Sequence, residues 1–191
     1  MQKPARGRLI GSLVAAGFGL IYVLVNSWPL PSAAAWAVRI AAIALATVTA
    51  GSVAVGAVRA PDGPGDADAP PPRLARGYWL IVAGEVAALF GGLAVINGLL
   101  DAPHAGVAWV SLVVGAHFVP MARLFRLAFF HLIGAVIGAC GIAGLVFAAL
   151  QSSGEVTAVV AGVLPGLVLL GFAVWGSTRW WVTPQTAEPF P

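Results

Sequence analysis

The chain has 191 residues, of which 60% are hydrophobic and only 9% charged, and its mean hydropathy is +0.94. Because a soluble domain carries about 25% charged residues, this composition excludes an ordinary soluble protein and predicts a polytopic α-helical membrane protein. Ten Lys plus Arg face seven acidic residues, an excess that in a membrane protein indicates topology and not nucleic-acid binding.

Six apolar runs are long enough to cross the hydrocarbon core, which takes about 20 helical residues. They cover residues 9–27, 33–58, 78–100, 105–122, 127–150 and 156–178. Residues 59–76 contain five prolines and three aspartates, so we expect a flexible polar loop there, and we expect residues 180–191 to be a cytoplasmic tail. The predicted fold is a single six-helix transmembrane bundle, residues 1–191.

Two of the helical hairpins share a pattern. Residues 19–36 and 92–109 both read Gly-Leu, an apolar run, Asn, Pro, and then Ala-Trp entering the next helix. A duplicated hairpin would explain the pattern. Convergence of membrane turns on Asn, Pro and interfacial Trp explains it equally well.

The basic residues predict the orientation of the bundle. With six spans, nine of the ten lie at one end, and Arg39 is the exception. The nine are Lys3, Arg6, Arg8, Arg59, Arg73, Arg76, Arg123, Arg126 and Arg179. By the positive-inside rule that end is cytoplasmic, so both termini are expected in the cytoplasm. A cleaved N-terminal signal peptide is the rival interpretation, but its apolar region would be longer than usual.

The choice of residues also predicts a location. Arg outnumbers Lys nine to one, and Ala, Gly and Val are abundant, which is typical of a GC-rich bacterial genome. The expected location is therefore the bacterial inner membrane, with the lipid bilayer as the surrounding partner. Arg123, Arg126, Arg59 and Arg76 are then topology determinants and contacts for lipid phosphates.

Three ionisable residues are predicted at one depth within the spans, where polar groups are costly. Glu85 lies seven residues past Tyr78, His117 six before Arg123, and His131 five past Arg126. At 1.5 Å per residue, each lies about 8–10 Å from the cytoplasmic interface, on three different helices. A contact between Glu85 and His117 would compensate the cost of both.

Two interpretations of this group remain open. In the first it is a proton- or ion-handling site, supported by Pro120, which leaves the carbonyl of Ala116 without its helical partner. In the second it is a structural contact that joins the helices. A second polar group, Asn97, Asp101 and His104, is predicted near the opposite face, where a hydrated loop is the simpler explanation.

No cofactor is predicted. His117 and His131 could ligate haem b axially, and with Glu85 they could bind a metal ion, but both are minor alternatives. The chain has no P-loop, HExxH or GxSxG motif, and its single cysteine, Cys140, excludes a thiol pair. These absences favour a protein that is not an enzyme.

Small residues recur at helical spacing in two spans and predict contact faces between helices. Span three has Ala83, Ala87 and Gly91 beside Gly84, Ala88 and Gly92, and span five has Gly134 and Gly138 beside Ala135, Ala139 and Ala143. These faces could pack within the bundle, in a homo-oligomer or against another membrane protein.

Residues 115–126 read GAHFVPMARLFR. They resemble a Gly-x-His-Phe-x-Pro-x-Ala-x-x-Phe signature of small, uncharacterised bacterial integral membrane proteins. The matching positions are Gly115, His117, Phe118, Pro120, Ala122 and Phe125. The resemblance implies a family and no activity.

Three functions are compatible with the sequence. The first is a small ion, solute or proton-coupled transporter that uses Glu85 and His117. The second is a non-catalytic membrane subunit or scaffold that binds through its small-residue faces. The third is a haem- or metal-binding membrane protein.

Overall fold

The structure, a computed structural model, describes residues 6–59, 72–150 and 154–178, and among these every regular element is helical. Five helices are α1 (Arg6–Asn26), α2 (Ser32–Arg59), α3 (Pro72–Gly98), α4 (Gly106–Phe125) and α5 (Phe129–Ala149). The sixth, α6, joins an α-helical turn (Gly154–Ala158), a π-helical segment (Val159–Val163) and a longer α-helix (Leu164–Thr178). All six are long and apolar enough to cross a membrane, which confirms the predicted all-α bundle of six spans.

Helix α3 begins earlier than the sequence suggested. Its first residue is Pro72, inside the segment predicted as a loop, and proline is favoured at a first helical position because its missing N–H has no helical partner there. Residues 60–71 of that loop and the predicted tail, 180–191, lie outside the described residues. The same holds for Lys3, Arg179 and the side chains of Arg6, Arg8, Arg59 and Arg73.

Helix α5, in contrast, begins later than predicted. Arg126 has a left-handed conformation with φ of 55°, and the next N–H, from Leu127, donates to the Ala122 carbonyl at 3.1 Å. This closure ends α4 and reverses the chain, so α5 begins only at Phe129. A similar reversal joins α3 to α4 through Asp101, with φ of 48°, and a short 3-10 turn, Pro103–Ala105.

Helix α6 is the most enclosed helix and α3 the least. Within an apolar stretch of 18 residues in each helix, 56% of the residues are buried in α6 and 6% in α3. Helix α6 packs against α1, α2 and α5, and its π-helical segment also reaches α4. Helix α3 packs almost entirely against α4. The bundle therefore has α3 at its periphery.

Helices α1 and α6 pack against each other and run in opposite directions. Between α1 and α6, Ser12 approaches Gly176, Gly19 approaches Gly166, and Asn26 approaches Gly162. Buried apolar side chains of α1, α2 and α6 form a core between these three helices, and they include Val23, Ala42 and Leu170.

Helices α4 and α5 meet backbone to backbone at glycines. A Cβ atom on Gly115 would overlap the main chain of Gly138, and one on Gly134 would lie 2.7 Å from the Gly115 carbonyl oxygen. Gly134 and Gly138, predicted as a contact face, thus pack inside the bundle. The neighbouring Ala135 and Ala139 are exposed and face away from α4.

We expect Gly115→Ala to destabilise the bundle, since its methyl group has no space between two main chains. Overpacking of this kind costs about 1–3 kcal/mol. The free energy of unfolding can be measured by SDS titration of the purified protein in mixed micelles.

Gly51→Ala is the matched control, because a Cβ atom on Gly51 of α2 would meet nothing within 4 Å. We expect it to change the free energy of unfolding by less than about 1 kcal/mol, the scale of the helix-propensity difference. Equal effects of the two variants would contradict the close α4–α5 contact.

Candidate functional site

The interface between α3 and α4 positions the ionisable residues. Trp109 of α4 lies over Gly92 of α3 so closely that no side chain fits at position 92, and its indole N–H donates to the Ala88 carbonyl at 3.0 Å. Further along, Leu124 of α4 lies beside Gly77 of α3. These contacts fix an antiparallel register, and His117 and Glu85 face each other midway between them.

Glu85 and His117 are brought together as a pair. The imidazole Nδ1 lies 3.3 Å from Oε1 of the carboxylate, and the two side chains are only 15% and 19% exposed, His117 first. Although the distance is that of an ion pair, Nδ1 is buried and makes no aligned hydrogen bond among the described residues. A modest rotation of either side chain would therefore align the two atoms and form a hydrogen bond between them.

Aromatic rings pack beneath the pair, towards the end of the bundle that carries Arg123 and Arg126. The ring of Phe118 lies 4.4 Å from the His117 imidazole, centroid to centroid, and 5.6 Å from Phe130 of α5. The cluster continues through Phe129 to Trp175 of α6. These rings hold the imidazole in an apolar setting and link α4 to α5 and α6.

Pro120 lies inside α4, which continues to Phe125 without interruption. Since proline has no N–H, the Ala116 carbonyl lacks its usual partner one turn earlier. Ala116 is exposed at the surface of the bundle, next in sequence to His117. The acceptor freed by Pro120 is therefore adjacent to the pair.

His131 does not join the pair. It lies in the first turn of α5 and its side chain is exposed, because the chain reversal at Arg126 delays the start of the helix. The described residues contain no group of three His, Cys, Asp or Glu side chains that could hold a metal ion. Of the three predicted residues, the structure brings Glu85 and His117 into contact.

Three of the four arginines predicted to contact lipid have side chains that the structure describes. Arg76, Arg123 and Arg126 are exposed at the end of the bundle where α3 begins and α4 ends, here called the basic end. Arg59 is the last residue of α2, and its side chain is outside the described part of the chain.

The second predicted polar group lies at the opposite end, here called the turn end. Asp101 and His104 line an open cavity of about 560 Å³ between the α3–α4 turn, the end of α5 and Gly154. Asn97 is exposed one turn earlier on α3. The three side chains are exposed, as expected for a hydrated turn.

A polar cluster deeper in the bundle was not foreseen. The Ser111 hydroxyl of α4 donates to the Ala161 carbonyl in the π-helical segment of α6, and its Oγ lies 3.5 Å from the Tyr22 hydroxyl of α1. Pro165 follows this segment within α6 and has no N–H to donate back to it. Ser111 supplies a donor from another helix.

The sequence signal for this cluster was a single serine in the apolar run of span four and a proline in span six. Neither residue shows on its own that the two helices meet there.

The chain matches no protein-family profile, and no curated protein or solved structure is significantly similar to it. The resemblance of residues 115–125 to a membrane-protein signature stays a prediction.

Replacing Ser111 by Ala should destabilise the protein, because the buried Ala161 carbonyl would lose the hydrogen bond from the Ser111 hydroxyl. A hydrogen bond of this kind contributes about 0.5–1.5 kcal/mol. Thermal unfolding in detergent, followed by circular dichroism, measures the loss.

Ser177→Ala provides the control, because this buried hydroxyl bonds to the Val174 carbonyl, which also accepts from Thr178. We expect its melting temperature to stay close to that of the unchanged protein. If Ser111→Ala were as stable as Ser177→Ala, the Ser111 hydroxyl would not stabilise the protein through its hydrogen bond to the Ala161 carbonyl.

Proposed function

We propose that this chain is a small transporter of the bacterial inner membrane, moving protons or a proton-coupled solute through a site formed by Glu85 and His117. The observation that carries the proposal is the 3.3 Å contact between these two side chains within membrane-spanning helices. Ionisable residues inside a membrane are rare and usually belong to a pathway for ions or substrate.

The chemistry of the pair suits proton transfer. Histidine is the side chain that most readily changes charge near neutral pH, and a carboxylate beside it can accept or stabilise the proton. Among the described residues, no Lys or Arg lies within ion-pair distance of Glu85, so the proton on this pair decides the local charge. Loading and unloading one proton would thus change the electrostatics of the α3–α4 interface.

The surroundings enclose the pair on one side and leave it partly exposed on another. The aromatic cluster around Phe118 covers one side of the imidazole, and both side chains of the pair remain partly exposed. The hydroxyls of Ser111 and Tyr22 extend polar groups deeper into the bundle. With both termini in the cytoplasm, the orientation favoured by the basic residues, the pair would lie in the cytoplasmic half of the membrane.

Proton flux into proteoliposomes tests this function directly. A potassium gradient with valinomycin supplies the driving force, and an internal pH-sensitive dye reports proton entry. We expect the unchanged protein to conduct and both Glu85→Gln and His117→Ala to reduce flux to the level of protein-free vesicles, because each removes one of the two titrating groups.

Two control variants should retain full flux. Glu155→Gln neutralises an exposed carboxylate at the turn end, and His131→Ala removes the histidine that lies apart from the pair. Normal flux in Glu85→Gln, accompanied by a lower melting temperature, would show that the pair is only a structural link between α3 and α4.

The second candidate is a non-catalytic membrane subunit or scaffold, favoured by the unusual exposure of α3. Its small-residue face, formed by Ala83, Gly84, Ala87 and Gly91, is exposed, and Cβ atoms on both of these glycines would meet nothing within 4 Å. Such faces permit close packing of membrane helices. Here the face is available to a second copy of the chain or to another membrane protein.

Self-association in vesicles tests the role of this face. We expect energy transfer between donor- and acceptor-labelled copies, and Gly84→Leu with Gly91→Leu should abolish it, because the leucines prevent close backbone approach. Gly51→Leu on α2 is the control. Self-association through α3 would be contradicted if the unchanged protein shows no energy transfer. It would also be contradicted if the double substitution leaves the energy transfer unchanged.

A further inference from the structure

Arg39 carries a positive charge at the turn end, far from the other basic side chains that the structure describes. It lies seven residues into α2, about 10 Å along the helix from Ser32. No acidic side chain among the described residues lies within ion-pair distance of it. A guanidinium remains protonated in proteins, so the charge cannot be relieved by losing a proton.

The orientation of this guanidinium is fixed by two neighbours. Its Nε–H donates to the Ser27 hydroxyl oxygen at 2.7 Å, and Ser27 is fully buried in the α1–α2 turn. The guanidinium carbon also lies 5.8 Å from the centre of the Trp36 ring. Nε is thereby used within the protein, whereas the two terminal nitrogens make no hydrogen bond to the described residues.

A partly buried cation without a counter-charge is costly beside an apolar bilayer, so an anionic partner would stabilise it. The two terminal nitrogens of arginine form a planar fork that matches two oxygens of a phosphate group. The required ligand chemistry is therefore that of a phosphate oxyanion.

The surface next to Arg39 indicates where this phosphate comes from. Trp36, Ile40 and Ile43 follow one another at helical spacing on α2 and are 63%, 61% and 50% exposed. Together they form an apolar strip that starts at the guanidinium and runs towards the middle of the membrane. A phosphate joined to an acyl chain fits both features, because the chain would lie along the strip.

We propose that Arg39, held by Ser27 and Trp36, binds the phosphate of a phospholipid in the leaflet at the turn end, with an acyl chain along Ile40 and Ile43. The site does not involve Glu85 or His117, so it stands or falls independently of the transport function. It also gives a role to the one basic residue that departs from the positive-inside pattern.

Native mass spectrometry of detergent-purified protein tests the site, with phosphatidylglycerol added in steps. We expect the unchanged protein to hold one more phospholipid than Arg39→Gln. Arg39→Lys should weaken that binding by about tenfold, because an ammonium keeps the charge but loses one of two parallel hydrogen bonds. Ser27→Ala should also weaken phospholipid binding, because the guanidinium would no longer be held in its orientation.

Val48→Ala is the matched control, since Val48 is also exposed on α2, at 49%, but lies on a different face of the helix from the strip. We expect it to retain the full number of phospholipids. A competition with inorganic phosphate at millimolar concentration distinguishes the two sources of phosphate, and we expect no displacement of the lipid.

Equal lipid numbers in the unchanged protein and Arg39→Gln would overturn the proposal. Displacement of the Arg39-dependent lipid by inorganic phosphate would also overturn it, since the ligand would then be a free anion. If Arg39→Gln does not fold, Arg39→Lys and Ser27→Ala decide the outcome by the same comparison.

Discussion

The packing of α4 determines most of what the rest of the structure can do. One of its glycines, Gly115, lies against the main chain of α5, and this contact fixes both the distance and the rotation of α4. Once that rotation is set, Trp109 and His117 face α3, while Ser111 faces α1 and α6. A larger residue at position 115 would displace all three polar contacts, because they radiate from one rigid helix.

Each polar side chain on α4 compensates a specific group on a neighbouring helix. Trp109 donates to a carbonyl of α3, and Ser111 donates to the Ala161 carbonyl in the π-helical segment of α6. In a bilayer no water is available to satisfy such groups, so each one needs a partner in the protein. His117 differs from Trp109 and Ser111 because its partner, Glu85, is ionisable. The Glu85–His117 pair can therefore change its charge, whereas the other two contacts only hold helices together.

The sequence was sufficient for the number of spans and for the Glu85–His117 pair. Span length follows directly from bilayer thickness, and the pair follows because two costly groups at one depth on adjacent helices reduce each other's cost. The sequence was not sufficient to predict the position of His131. Its depth was counted from Arg126, but the left-handed turn at Arg126 places His131 at the start of α5.

Other features were beyond sequence reasoning because they depend on which helices become neighbours. Gly134 and Ala135 occupy equivalent positions in two parallel rows of small residues, yet only the glycine row lies against α4. The contact between Ser111 and Ala161 joins residues 50 positions apart, and only the folded arrangement of α4 and α6 brings them together.

The location of the pair at the least enclosed helix bears on how a proton site could work here. Helix α3 is held to the bundle mainly through α4, by the Trp109–Ala88 hydrogen bond, the packing over Gly92 and the pair itself. Elements with few buried contacts are the ones that move at low cost. A change of charge at Glu85–His117 therefore acts on an interface that has little other packing to resist it, and the same charge between α4 and α5 would act against a backbone contact. This placement suits a site whose protonation is coupled to movement of one peripheral helix.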